Sequence, residues 1–235
     1  MARFRRAGPA VVLCTVIACC VTLGASRASA DSFTITDSNL GSGFNGPFAT
    51  VTITLVNSTT ADVTFHANDS GVSGGAAGYQ LMDGSAADMN INGSFSAGSF
   101  SDTQLATFHT NNPLNWTTGS GTVDGFGSFN FNINTEDGAG SAMDSISFVL
   151  TATNGNSWTS ASNVLSANSQ GNDLAVHIAT CSASPCSISN TGATTGFGSQ
   201  GPSTTTPEAA SMALMGTFLL GAAMLLGRKL TASEG

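Results

Sequence analysis

The sequence predicts an all-β chain, an antiparallel β-sandwich of jelly-roll type, and three observations carry that expectation. Apolar and polar residues alternate with a period of two in several separate runs. Gly-, Asn- and Asp-containing turns punctuate those runs. No long amphipathic helical pattern occurs between residues 31 and 206. Alternation of this kind fits antiparallel sheets with one face on a core and the other toward solvent.

Each run has its own signature. In 48–56, Val51, Ile53 and Leu55 share one face, while Thr50, Thr52 and Thr54 share the other. Residues 60–67 place Val63, Phe65 and Ala67 opposite Thr64 and His66, with Asn57-Ser58-Thr59 forming the hairpin turn between the two runs. The clearest alternation is 128–135, where Phe129, Phe131 and Ile133 interleave with Asn130, Asn132 and Asn134. Residues 145–152 follow, with Ile146, Phe148 and Leu150 inward, after a turn-rich loop containing Asp137-Gly138 and Gly140. Weaker strands are expected at 32–36, 77–82, 88–95, 104–109 and 174–180. Residues 160–167 suit one or two helical turns that bury Val164 and Leu165. From 187 to 206 the alternation stops and Ser, Thr, Gly and Pro dominate, as in a flexible linker.

The two ends have a different character. Arg3, Arg5 and Arg6 precede an apolar run from Pro9 to Leu23, and Ala28-Ser29-Ala30 stands before Asp31. A basic start, a short apolar core and an A-x-A site form the pattern of a secretory signal peptide, cleaved here after Ala30. Val16-Ile17-Ala18-Cys19 loosely resembles a lipobox, but the apolar stretch continues past Cys19. At the other end, Ala209 to Leu226 contains 18 residues without a charge, about 27 Å if helical, enough for a bilayer core. Arg228 and Lys229 follow, and the positive-inside rule keeps them cytoplasmic with the preceding domain outside. The signal peptide requires the same orientation.

Just upstream of the apolar span the chain reads Thr206-Pro207-Glu208-Ala209. Proline, glutamate, an apolar span and a short basic tail together resemble the PEP-CTERM sorting domain of bacterial surface proteins. The resemblance covers residues 207–230, and Ala209 stands at the motif's second proline position. It implies recognition, and cleavage near Pro207-Glu208, by an exosortase-type processing enzyme. It also implies a link to extracellular polysaccharide and biofilm. A plain C-terminal transmembrane anchor, without processing, is the alternative. The expected organisation is thus a signal peptide at 1–30, a β-sandwich domain at 31–186, a linker at 187–206 and a sorting or anchor segment at 207–230.

Charge narrows the partners. All six Lys and Arg residues lie at 3, 5, 6, 27, 228 and 229, so residues 31–206 contain none. Of the chain's 14 acidic residues, only Glu208 and Glu234 fall outside that region, leaving 12 and a net charge of −12 with histidine neutral. Binding to a nucleic-acid backbone or to anionic lipid headgroups is excluded on that ground. Cys14, Cys19 and Cys20 lie within the signal peptide, whereas Cys181 and Cys186 remain around Ser184-Pro185. In an oxidising compartment this pair reads as a local disulfide.

No catalytic constellation emerges. His66, His109 and His177 have no metal-ligand spacing, no Gly-x-Ser-x-Gly elbow is present, and Glu136-Asp137 is an acidic pair within a turn. No cofactor is expected except a candidate structural calcium on Asp124, Glu136, Asp137 and Asp144, because hard oxygen ligands concentrate near those loops. Carbohydrate binding is the alternative activity, with a secreted hydrolase third. Trp116, Trp158 and Tyr79 are the available rings, and Trp116, in a loop-like stretch, is the candidate ligand contact, though it equally suits capping the core. The leading expectation is a non-enzymatic surface or extracellular-matrix protein.

Overall fold

Period-two alternation becomes strand wherever the sequence shows it most clearly. In the computed structural model, which describes residues 29–69, 76–103, 116–135, 138, 141–182 and 193–200, eleven strands form one antiparallel sheet. They are β1 (Ser29–Ser38), β2 (Ala49–Asn57), β3 (Thr60–Ala67), β4 (Gly78–Leu81), β5 (Ala87–Met89) and β6 (Phe95–Thr103), then β7 (Thr117–Val123), β8 (Gly127–Asn134), β9 (Ser145–Ala152), β10 (Leu174–Cys181) and β11 (Thr195–Gln200). The expected helical turn appears as a 3-10 turn at Ser162–Val164, with Val164 and Leu165 buried. Residues 1–28 of the expected signal peptide and the C-terminal apolar span lie outside the described residues, as does the strand expected at 104–109, whereas Ser29 and Ala30, the last two residues before the expected cleavage, begin β1. No helix among the described residues is long and apolar enough to cross a membrane.

The sheet runs in the order β6-β9-β3-β2-β1-β11-β10-β5-β8-β7, with β4 also paired to β10. Hydrogen bonding is therefore continuous, not divided between two sheets. β1 makes the corner. Its first part, Ser29 to Ile35, pairs with β2, and its last part, Ile35 to Ser38, pairs with β11, with a register irregularity between Ile35 and Asp37. A strand that changes partner through an irregularity is how a sheet turns back over itself. The aromatic core confirms the curl. Phe131 of β8 and Phe148 of β9 come from strands far apart along the sheet path, yet their rings are 5.2 Å apart. Phe95 of β6 meets Phe131 edge-on at 5.8 Å.

The core is one main cluster inside the curl, lined by the alternating residues of β2, β3, β8 and β9. Trp158 and Tyr79 are among its largest fully buried side chains. The Trp158 indole donates to Asn92 O at 3.0 Å and the Tyr79 hydroxyl donates to Asn45 O at 2.9 Å. Each ring buries its apolar area without stranding its polar end.

Three expectations are corrected. The stretch following Trp116 is strand β7, not loop. It and β6 lie at the two ends of the sheet path, and β7, open to solvent, shows little apolar alternation. The expected strand 88–95 is divided: β5 ends at Met89, Ile91 makes an isolated bridge to Leu165, and β6 starts at Phe95. The expected linker 187–206 contains β11, which lies between β1 and β10 in the middle of the sheet. Its glycines have a packing role there. A Cβ on Gly198 would sit 2.9 Å from Ile35 Cγ2, and one on Gly196 would sit 2.7 Å from Asn39 Oδ1.

Candidate functional site

β4 and β5 both pair with β10, but Met82–Ala86 between them leaves the ladder. His177 of β10 ties this segment down through its own backbone: Met82 N–H donates to His177 O at 3.0 Å, and His177 N–H donates to Ser85 O at 2.7 Å. Ser85 takes a φ of 64° to complete the detour. The detour delivers Asp83 to the imidazole. His177 Nδ1 and Asp83 Oδ1 are 2.6 Å apart, both side chains are mostly buried, and the ring stacks on Phe197 at 4.6 Å.

The asparagine face of β8 packs onto the same segment. Asn134 Oδ1 accepts from Ser85 N–H at 2.9 Å. Asn132 Nδ2 donates to Ser85 Oγ at 3.0 Å and to Asp88 Oδ1 at 2.7 Å, and Asn134 Nδ2 donates to Asn132 Oδ1. Asn130 holds both the N–H and the C=O of Ile91, at 2.7 and 2.8 Å. The Asn positions thus do not form a uniform solvent face: Asn130 is exposed and Asn134 half-buried, whereas Asn132 is covered. Asn132 is 2% exposed, and its amide satisfies buried polar groups of the covering segment.

The two carboxyls of this cluster are pushed in opposite directions. Burial alone would raise Asp83, but the His177 ring and the backbone N–H groups of Gly138 and Gly84 outweigh it and hold that carboxyl below the ordinary range. Burial dominates at Asp88, which is pushed up to about 7 against the opposing pull of Asn132, Ser85 and His177. Opposed pKa values are an acid–base signature. Here, however, Asp88 is fully buried, and Ser85 Oγ is engaged by Asn132. Neither described imidazole is hydrogen-bonded to a serine or threonine hydroxyl, so the triad geometry is not assembled among the described residues.

A second polar cluster forms where β3 ends. Ala67 N–H donates to Asp144 O at 2.8 Å, Tyr79 N–H donates to Asn68 O at 2.7 Å, and Leu81 bridges to Met143. These contacts gather His66, Asp69, Gln80 and Asp144. His66 Nδ1 is 2.6 Å from Ala67 O and Nε2 is 3.5 Å from Asp144 Oδ2. Burial raises the Asp144 carboxyl, and Asp69 adds to this, while His66 and Gln80 oppose it.

The residues named from sequence are dispersed. Asp124 occupies the β7–β8 turn, where its carbonyl accepts from Asn39 Nδ2 at 3.2 Å. Asp144 immediately precedes β9 beside Leu81, past the other end of β8, so the fold does not bring these two together. Glu136 and Asp137 lie outside the described residues. No three His, Cys, Asp or Glu side chains among the described residues converge on a metal position. Trp116 is half-buried and stacks on Phe100 at 6.2 Å. Tyr79 and Trp158 are buried, which removes them as sugar-stacking platforms. A shallow groove of about 360 Å³ lies between Leu55–Ser58 and Ser157–Thr159, with no charged residue in its lining. Cys181 ends β10 and is buried, and Ala30 pairs with Thr54 in β1. Ala28, His109, Cys186, Pro207, Glu208, Ala209, Arg228 and Lys229 lie outside the described residues.

Asp83, Ser85, Asp88, Asp69 and Gln80 were not singled out from sequence. The regular Asn130, Asn132, Asn134 alternation was the one available signal, because three amides on one strand face need partners if that face is covered. Comparison with protein-family models, with curated proteins and with solved structures finds no match for this chain.

Proposed function

We propose that the chain is an exported, non-enzymatic surface or extracellular-matrix protein, sorted through a PEP-CTERM-like tail. In this reading a signal peptide ending at Ala30 delivers a jelly-roll-like β-sandwich, and Pro207, Glu208 and Ala209 mark the site that an exosortase-type enzyme processes. Arg228 and Lys229 hold the tip inside, Cys181 and Cys186 form a local disulfide after export, and extracellular polysaccharide is the candidate partner. One observation carries the proposal: an apolar, charge-free span between Pro207-Glu208 and Arg228-Lys229, oriented in agreement with the N-terminal signal pattern. A region 31–206 with 12 acidic residues and no lysine or arginine suits a hydrated surface protein. The test compares mass and location of the mature protein with and without residues 207–235. Loss of the tail from surface material supports sorting, whereas an intact tail on that material leaves a plain anchor.

A carbohydrate-binding module is the second reading, favoured by Trp116 alone. It is the one tryptophan or tyrosine that is not fully buried. Binding on a glycan array that disappears in Trp116→Ala would establish it.

A further inference from the structure

A region with no lysine or arginine has few ways to balance a buried carboxylate. Neutral N–H and O–H donors, a histidine, a proton or a metal ion can do so. At the end of β3 two buried acceptor atoms of one cluster, Asp144 Oδ1 and Gln80 Oε1, have no hydrogen-bond donor among the described residues. Gln80 is fully buried and lies across from Asp144 beside the Leu81–Met143 bridge; its amide N–H pulls on the Asp144 carboxyl and its Nε2 donates to Tyr79 O at 3.2 Å, which leaves Oε1 unpartnered among the described residues. His66 approaches only the other Asp144 oxygen. Asp69, half-buried, lies within electrostatic reach of Asp144, and its backbone packs tightly against Gly78, where a Cβ would meet Asp69 O at 2.3 Å.

We propose that Asp69, Gln80 and Asp144 form a calcium site, with Asp144 Oδ1 and Gln80 Oε1 as its buried ligands. Two carboxylates and an amide carbonyl are hard oxygen donors, which suit Ca²⁺ over transition metals. The set differs from the one expected from sequence: it keeps Asp144, leaves out Asp124, Glu136 and Asp137, and adds Asp69, just past the end of β3, and Gln80 of β4. Ca²⁺ takes 6–8 oxygens, so backbone carbonyls and water complete the shell. A cation here would supply the positive partner that both acceptor atoms lack, and it would join the ends of β3 and β4 to the start of β9. The inference stands on this geometry and does not depend on how the tail is processed.

The test is thermal unfolding and calorimetric titration of the full-length chain in mild detergent, with calcium chloride and with EDTA. A rise in Tm of about 5 °C at a hundredfold excess over Kd is expected for the unaltered chain, with one ion bound. Asp69→Asn and Asp144→Asn should abolish both the rise and the binding heat, while Asp124→Asn should keep them. Asp69 is half-buried and tolerates the exchange, so this variant decides the matter if Asp144→Asn does not fold. Equal melting curves in calcium and EDTA overturn the site. A rise that survives in Asp69→Asn also overturns it, because that rise is screening of the net negative charge.

Discussion

His177 Nδ1 lies 2.6 Å from Asp83 Oδ1, at the place where the backbone of His177 also grips Met82 and Ser85. One residue of β10 thus fixes both the path of the segment joining β4 to β5 and the ionisation of its aspartate. The contact depends on strand register. His177 pairs with Phe197 across β11, which also supplies the ring stacked on the imidazole.

This contact predicts an acid-sensitive stability. The folded Asp83 carboxyl titrates below its ordinary value of 3.8, so its contribution is present above that value and is lost as pH falls through the lowered one. Asp83→Asn should lose about 1 kcal/mol at pH 6 and show a shallower acid limb below pH 4. Urea titrations from pH 2 to 7 check this. Parallel limbs for the two proteins would contradict it.

Asp88 predicts the opposite dependence. Its folded value, about 7, exceeds its ordinary 3.8, so between those pH values the unfolded chain gives up the proton that the folded chain keeps. Its contribution is greatest below pH 4 and falls until pH 7, by at most about 4 kcal/mol. Asp88→Asn retains an acceptor for Asn132 Nδ2 and removes the ionisation. The variant should therefore flatten the decline between pH 5 and 8 and surpass the parent protein at pH 8.

Trp158 is 1% exposed and is anchored by its indole N–H on Asn92 O. Trp158→Ala should cost about 3–5 kcal/mol through lost contacts and a cavity. Trp158→Phe should cost less, because it refills part of the space, yet it leaves Asn92 O without that donor. Chemical denaturation of both variants gives the order, and equal costs would show that the refilled space contributes nothing and that the loss common to both, the indole hydrogen bond, dominates.

The central place of β11 gives a fourth prediction. Gly198 faces Ile35 so closely that a side chain must displace it, and Gly198→Val should destabilise the domain by roughly 1–3 kcal/mol. The same exchange at Gly125 has open space but a φ of 83°, so its cost would come from backbone strain alone. Melting temperatures compare the two. An unchanged Tm for Gly198→Val would return 195–200 to the status of a linker.

The strands that face the core were legible because burial imposes alternation on them. Val51, Ile53 and Leu55, Val63 and Phe65, Phe129, Phe131 and Ile133, and Ile146, Phe148 and Leu150 are all buried where alternation places them. β7 was not, because this edge strand is open to solvent and its Ser, Thr and Gly positions bear no period, and β6 was not, because the irregularity between Gly98 and Ser101 breaks the spacing of its core-packed Phe95, Ala97 and Phe100. β11 was misread because the small residues that resemble a linker are there to admit Ile35 and Leu40.

By itself the sequence determined an all-β domain rich in acid and free of lysine and arginine, flanked by two apolar segments. Those properties follow from residue type and local period, which one stretch of chain displays alone. Only the tertiary structure decided that the sheet is continuous and curled, and that Asp83 meets His177. It alone also decided that Asp88 is sealed under Asn132 and that Gln80 and Asp69 gather around Asp144. Each of those pairs is contributed by separate strands or connections. Their meeting depends on register and on where the sheet turns back, which local alternation does not encode.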